Sequence, residues 1–477
     1  MPAKHRLVVI GDSLSQGFMS GAIHRADLSY PVWIAKALGI GAGFDVPSFE
    51  DAGGLPMNLE RILGHLSRRF GGKIEWWEAV PAMAVVRGLL DRVEDYWERG
   101  AGTLPVAGAT TRHNLSVWGF QLGDALTLTE AVISRAIPPP RDNFLKQVPE
   151  MAMYRTARRV LNPALAAADT NRSQVRAAED LASDGGIGNL IVCLGANNAL
   201  GTVTSLTIRP SEDSDLDKLA HERNCNLYRP HHFSVLYDRL MEAVDRIGPE
   251  RVFLCTVPHV TIPPVSRGVG IFKDGYYDFY TRPWVWDSDF DPRKHRSLTR
   301  EQAESIDSYI DAYNATIASA AEARDNGFVL DLCGLLDELA FRRSQGQVRY
   351  EFPTGLVKAL REHEPLSYLV TESGSVSLDT RFLMVNEEQR VVRLSKGGLF
   401  SLDGMHPTTI GYGIFADLFL GRMREAGVDF LEPDLDWDAI VRADTLVNDP
   451  PPLLDDLRET LHFLDRGGLL SSLLNLF

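Results

Sequence analysis

Leu7-Val8-Val9-Ile10-Gly11-Asp12-Ser13-Leu14-Ser15-Gln16-Gly17-Phe18 lies near the start of the chain and decides its reading. Residues 7–10 are a short, β-branched apolar run, the pattern of a buried strand, and the run stops at a glycine and an aspartate. The residues after it can begin a helix, with Asp12 or Ser13 as the cap. A serine at the carboxyl end of a first parallel strand sits where α/β proteins place reactive groups. Backbone N–H groups at such a turn can also meet an oxyanion. The same residues equally suit a plain strand-turn-helix in which Ser13 only caps. This stretch alone leaves both readings open.

Beyond it, further apolar runs end in turns at 189–195, 251–257 and 328–332, and a shorter run at 103–111 ends in a glycine turn at Gly108. Helical periodicity separates them, at 30–38, 59–70, 82–99, 151–161, 173–183, 232–247, 299–324 and 410–426. Strands alternating with helices predict an α/β fold, a parallel sheet covered by helices on both faces. Three stretches break the rhythm and read as insertions: 202–226, polar and acidic; 261–296, loop-like and rich in aromatics; and 342–399, whose runs at 366–370 and 382–394 suggest a β-hairpin subdomain. The expected organisation is one domain over 1–430 with these insertions, and a helical extension over 431–477.

At 477 residues the chain can bury a large core. A formal net charge of -15 repels phosphates and argues against a nucleic-acid partner. No run approaches the length of a membrane span, and no apolar leader precedes the first strand, which makes a cytoplasmic location the expectation. Cys193, Cys225, Cys255 and Cys333 form no disulfide framework. Cys225 lies near His221, His231 and His232, but the spacing fits no standard zinc site, so no metal is expected.

The chemistry gathers near the other end, at Gly398-Leu399-Phe400-Ser401-Leu402-Asp403-Gly404-Met405-His406-Pro407-Thr408. An aspartate three residues before a histidine on a turn can accept the imidazole Nδ1–H and leave Nε2 to act as a base. A serine hydroxyl becomes a nucleophile when such a base takes its proton. An isolated Asp-x-x-His pair also serves as an ordinary satisfied loop histidine.

Four blocks in one order change the balance. Gly-Asp-Ser-Leu at 11–14, the turn at Gly108, Gly195-Ala196-Asn197-Asn198, and Asp403-x-x-His406-Pro407 together resemble the SGNH (GDSL) hydrolase family. The resemblance covers the sheet segments, about half the chain. It implies a three-layer α/β/α fold with a flavodoxin-like sheet, Ser13 as nucleophile, and Asp403 and His406 as its catalytic partners. It also implies an oxyanion hole made by the N–H groups of Ser13 and Gly108 and the side chain of Asn197. The family often carries an asparagine a few residues before the second-block glycine, where this chain has 103–107, Thr-Leu-Pro-Val-Ala. It usually has an aspartate where Asn198 stands, a position with a structural role.

The implied activity is a serine esterase or lipase, needing no cofactor, acting on a small-molecule or lipid ester. An acyltransferase, a carbohydrate O-deacetylase and a catalytically silent binding module are the alternatives. The aromatics Tyr276, Tyr277, Trp284 and Trp286 are candidates for a substrate wall near the mouth, or for the core of a small subdomain.

Overall fold

The computed structural model describes residues 3–108, 111–140, 148–285, 287–341, 343–344, 348–381, 384–385, 394–432 and 434–452, and residues 464, 465, 468 and 474. In chain order its frame comprises β1 (His5–Gly11), α1 (Ser13–Gln16), α2 (Tyr30–Ala37), α3 (Gln174–Ser183), β2 (Ile187–Cys193), α4 (Pro230–Ile247) and β3 (Arg251–Cys255). Then come β4 (Arg267–Lys273), β5 (Tyr276–Thr281), β6 (Leu298–Thr299), α5 (Arg300–Glu322), β7 (Gly327–Leu330), α6 (Leu332–Leu339) and α7 (Thr409–Glu425).

The central sheet is parallel, in the order β1-β2-β3-β7, with Leu7 beside Asn189, Leu190 beside Val252 and Phe253 beside Phe328. Successive side chains of a strand point to opposite faces, and here both faces are buried. Leu7 and Val9 join Ile191, Phe253 and Leu330 in one core. Val8 and Ile10 join Leu190, Val192, Val252 and Leu254 in the other. That is why these strands read as continuous apolar runs. α2 and α7 cover the first face, with the Tyr30 ring edge-on to Phe419 at 4.6 Å. α3, α4 and α5 cover the second, with Phe233 stacked on Tyr313 at 4.0 Å. The chain is a mixed α/β protein with helices on both sides of a parallel sheet.

The expected strand at 103–111 is not where the fifth sheet segment lies. Residues 113–117 take that place instead, beside β1: Val9 N–H donates to the His113 carbonyl at 2.9 Å, and Leu115 and Val117 donate back to Val9 and Gly11 at 2.9 and 3.1 Å. The sheet therefore turns around β1, with its second chain segment on one side and the third on the other. The carboxyl end of β1 is the switch point of the sheet, the position at which open α/β sheets hold their ligands.

The insertions differ from expectation in kind. The stretch 261–296 is not loop-like: β4 and β5 form an antiparallel hairpin closed over Asp274-Gly275, both with positive φ, and β6 extends it. Asp-Gly is the residue pair such a turn demands. In 342–399, Val370 makes one isolated antiparallel bridge, to Val376, and residues 366–369 are not a hairpin strand. They fall in a short helical segment, Glu364–Leu369, after the helix Thr354–Glu362, because Leu366 and Leu369 bury at a helical spacing of three. Met384–Val385 does pair antiparallel with Leu394–Lys396; the rest of the run expected at 382–394 lies outside the described residues. Of the extension, Trp437–Ala443 and Thr445–Asn448 are helices, and most of the chain beyond 452 lies outside the described residues. Among the described residues no helix is long and apolar enough to cross a membrane.

Candidate active site

β1 delivers Ser13 to the switch point. Gly11 is required by packing: a Cβ there would lie 2.5 Å from Ser15 Oγ and 2.9 Å from Ser116 Oγ. Asp12 caps the single turn of α1, its Oδ1 accepting the Leu14 N–H at 3.1 Å. Tyr412, on α7, holds the far side of the turn by donating its hydroxyl to the Phe18 carbonyl at 2.6 Å, with Ser13 O at 3.4 Å.

The loop 398–408 brings Asp403 and His406 to the same rim. The loop is shaped by its own carboxylate: Asp403 Oδ1 accepts the N–H groups of Met405 and His406 at 2.8 and 2.9 Å, and Oδ2 accepts His406 Nδ1–H at 2.9 Å. Oδ2 also accepts the Gly21 N–H at 2.9 Å, which clamps the loop to the chain leaving α1. A reciprocal serine pair reinforces the clamp, Ser20 N–H to Ser401 Oγ at 2.7 Å and Leu402 N–H to Ser20 Oγ at 3.3 Å. Burial raises the Asp403 carboxyl, but His406 and these N–H donors outweigh it and hold it below the usual carboxylate range. The His406 ring lies 4.6 Å from that of Phe18, centroid to centroid. Because Nδ1 faces the carboxylate, Nε2 is the nitrogen left for proton transfer.

Ser13 and His406 thus share one rim, but no direct hydrogen bond joins them: among the described residues the Ser13 hydroxyl makes none. Loose nucleophile–base contacts are common in ligand-free sites and tighten around a substrate.

Asn197 arrives from the end of β2, on a turn begun by Gly195 at φ +128°. Its Nδ2 donates to the Phe120 carbonyl at 3.0 Å and to Asp12 Oδ2 at 3.3 Å. Burial pushes the Asp12 carboxyl up to about 7, against the pull of the Leu14 N–H and the neighbouring His406. Asn198 fills its structural place with a neutral acceptor, its Oδ1 taking the Leu122 N–H at 3.0 Å.

Gly108 is not part of this arrangement. It lies on an exposed loop with open space around it, and the first glycine after the strand segment beside β1 is Gly119. Gly119 has φ +78°, and a Cβ there would approach Met153 Sδ to 2.8 Å. The signal was present in Asn114-Leu115-Ser116-Val117-Trp118-Gly119, an asparagine with a glycine a short distance after it. Asp12, Gly21 and Tyr412 were also missed, since their roles rest on contacts across the fold.

A cavity of about 410 Å³ opens beside Gly119 and Asn197, lined in part by Gln121, Arg209, His221 and Arg223. The described aromatic candidates, Tyr276, Tyr277 and Trp284, do not border it. Tyr276 donates its hydroxyl to Asp307 at 3.0 Å, Tyr277 packs against Phe272 at 5.1 Å, and Trp284 packs against the core. Tyr277 therefore packs within the β4–β5 insertion, while Tyr276 and Trp284 tie it to the main body; Trp286 lies outside the described residues. The four cysteines are free. Compared with known proteins, the chain matches no family model and no curated protein.

Proposed function

We propose that the chain is a serine ester hydrolase of the SGNH (GDSL) type. The observation that carries this reading is the buried Asp403–His406 pair, clamped through Gly21 and Ser20 to the chain that leaves the Ser13 turn. The sheet order, with the second chain segment and the third flanking the first, is that of the flavodoxin-like arrangement.

In this reading Ser13 Oγ attacks the ester carbonyl while His406 Nε2 takes its proton and Asp403 stabilises the imidazolium. The developing oxyanion meets the Ser13 N–H, the Gly119 N–H and Asn197 Nδ2. For Asn197 the longer of its two bonds, to Asp12, is the one an oxyanion replaces. His406 then returns its proton to the leaving alcohol, and water activated by the same nitrogen releases the acyl group.

A second reading, removal of an acyl group from a sugar, is favoured by the cavity, whose Gln121, Arg209 and His221 offer hydrogen-bonding groups to a polar alcohol. Turnover of short and long p-nitrophenyl esters, measured with the native chain and Ser13→Ala, tests the main reading. Turnover that falls at least about 10³-fold in the variant supports it. Equal turnover in both, or no labelling of Ser13 by a serine-directed phosphonate, overturns it.

A further inference from the structure

Two strands away from Ser13 along the same rim, a second group of reactive side chains converges. His259 lies after β3, four residues beyond its end. Cys333 and Asp337 lie one helical turn apart on α6, a spacing that puts both on one face. His259 and Cys333 are buried, and one atom, His259 Nδ1, is their meeting point. Asp337 Oδ1 lies 3.0 Å from it, Cys333 Sγ 3.5 Å and Arg343 Nη1 2.9 Å.

In the structure the group is a network of ion pairs: His259 faces Asp337 through Nδ1 and Asp311 through Nε2, and Arg343 Nη1 donates to Asp337 Oδ1 at 2.9 Å. Carboxylates outnumber the cations. Asp311 lies 3.0 Å from His259 Nε2, and Asp307 is buried beside Arg343, which donates to its Oδ2. Asp307 Oδ1 is itself buried with no partner among the described residues. Three carboxylates therefore surround one guanidinium and one imidazole.

We propose that His259, Cys333 and Asp337 bind a single zinc ion. The three donor atoms lie within 4.8 Å of one another, close enough to converge on one small ion. A thiolate, an imidazole and a carboxylate are the donor set that suits zinc. On binding, the Nδ1 proton and the thiol proton leave to solvent, the nitrogen and the thiolate give their lone pairs to the metal, and Asp337 supplies an oxygen. Asp311 then orients the imidazole through Nε2 as an outer carboxylate. Arg343 gives up its contact with Nδ1 and keeps Asp307 and Thr261, the latter at 2.9 Å. The site joins the segment after β3 to α6. It is independent of the esterase reading, because it takes no residue from Ser13, Asp403 or His406.

The test uses the full chain, stripped with a chelator and titrated with Co²⁺ as a spectroscopic stand-in and with Zn²⁺. The expected result is one ion per chain with a thiolate-to-cobalt charge-transfer band, abolished in a folded Cys333→Ser variant. Asp337→Asn should weaken zinc at least about 10-fold. X-ray absorption on the zinc-loaded native protein needs no variant, and should show one sulfur at about 2.3 Å. A shell without sulfur, no stoichiometric binding, a band that survives Cys333→Ser, or binding lost only in His231→Ala would each overturn the proposal. The last outcome would place the ion at Asp213, His231 and His232, where three more donor atoms approach one another.

Discussion

Asn197 Nδ2 donates to Asp12 Oδ2 across 3.3 Å, joining the turn after β2 to the turn after β1 at the point where the sheet reverses its order. Asp12 is therefore more than a helix cap. It holds the side chain that the proposed mechanism aims at the oxyanion, and it does so from a site that disfavours its own charge.

That conflict sets a pH dependence. Asp12 rises from 3.8 to about 7 in the folded chain, so the folded state keeps a proton that the unfolded state has lost. Its effect on stability is therefore most favourable below about pH 4, worsens as pH rises toward 7, and levels off above it. Asp12→Asn removes the titration. Its stability relative to the native chain should improve between pH 5 and 8 by about 3 kcal/mol, read by denaturant unfolding at those two pH values. A stability difference that does not change with pH would show that Asp12 does not titrate there.

Asp403 behaves oppositely. Its carboxyl is held below the usual range, so its contribution is present above about pH 4 and is lost as pH falls below that. Asp403→Asn should narrow its stability gap to the native chain between pH 5 and 2. Under the esterase reading it should also cut kcat by about 10³–10⁴, because the amide no longer fixes the imidazole tautomer.

The two glycines separate the oxyanion block expected from the sequence from the one proposed on the structure. Gly119→Ala meets Met153 Sδ at 2.8 Å from a positive φ, whereas Gly108→Ala meets nothing within 4 Å. Both substitutions carry the backbone cost of the left-handed region, about 1 kcal/mol. Only Gly119→Ala should add a packing cost and depress ester turnover. Melting temperatures and turnover of the two variants, measured side by side, decide it.

Tyr412→Phe tests the support beneath the nucleophile. It removes the 2.6 Å hydrogen bond to the buried Phe18 carbonyl without changing the shape of the ring. A loss of about 1 kcal/mol is expected from the missing hydrogen bond, together with a lower kcat at nearly unchanged KM as the Ser13 turn loosens. An unchanged kcat would confine Tyr412 to packing.

Local pattern carried much of the fold. The runs at 7–10, 189–193 and 251–255 read as strands because both faces are buried and no polar residue interrupts their apolar interiors for long. Helix ends were legible wherever a side chain caps its own turn, as Thr299 does for α5. Asp403 and His406 were legible for the same reason: three residues of chain bring a carboxylate to an imidazole without help from the rest of the protein.

Which segment lies beside β1 was settled by tertiary packing, and with it that Gly119 rather than Gly108 stands at the switch point. Strand pairing uses backbone groups that every residue carries, so a strand's partner is not written locally in its side chains. The holding of Asn197 by Asp12, the clamp from Gly21 to Asp403, and the meeting of His259 with Cys333 are contacts across 74–382 residues of chain. Only the closed fold brings such groups within hydrogen-bonding distance, and only there does the cost of burying them become a chemical property of the site.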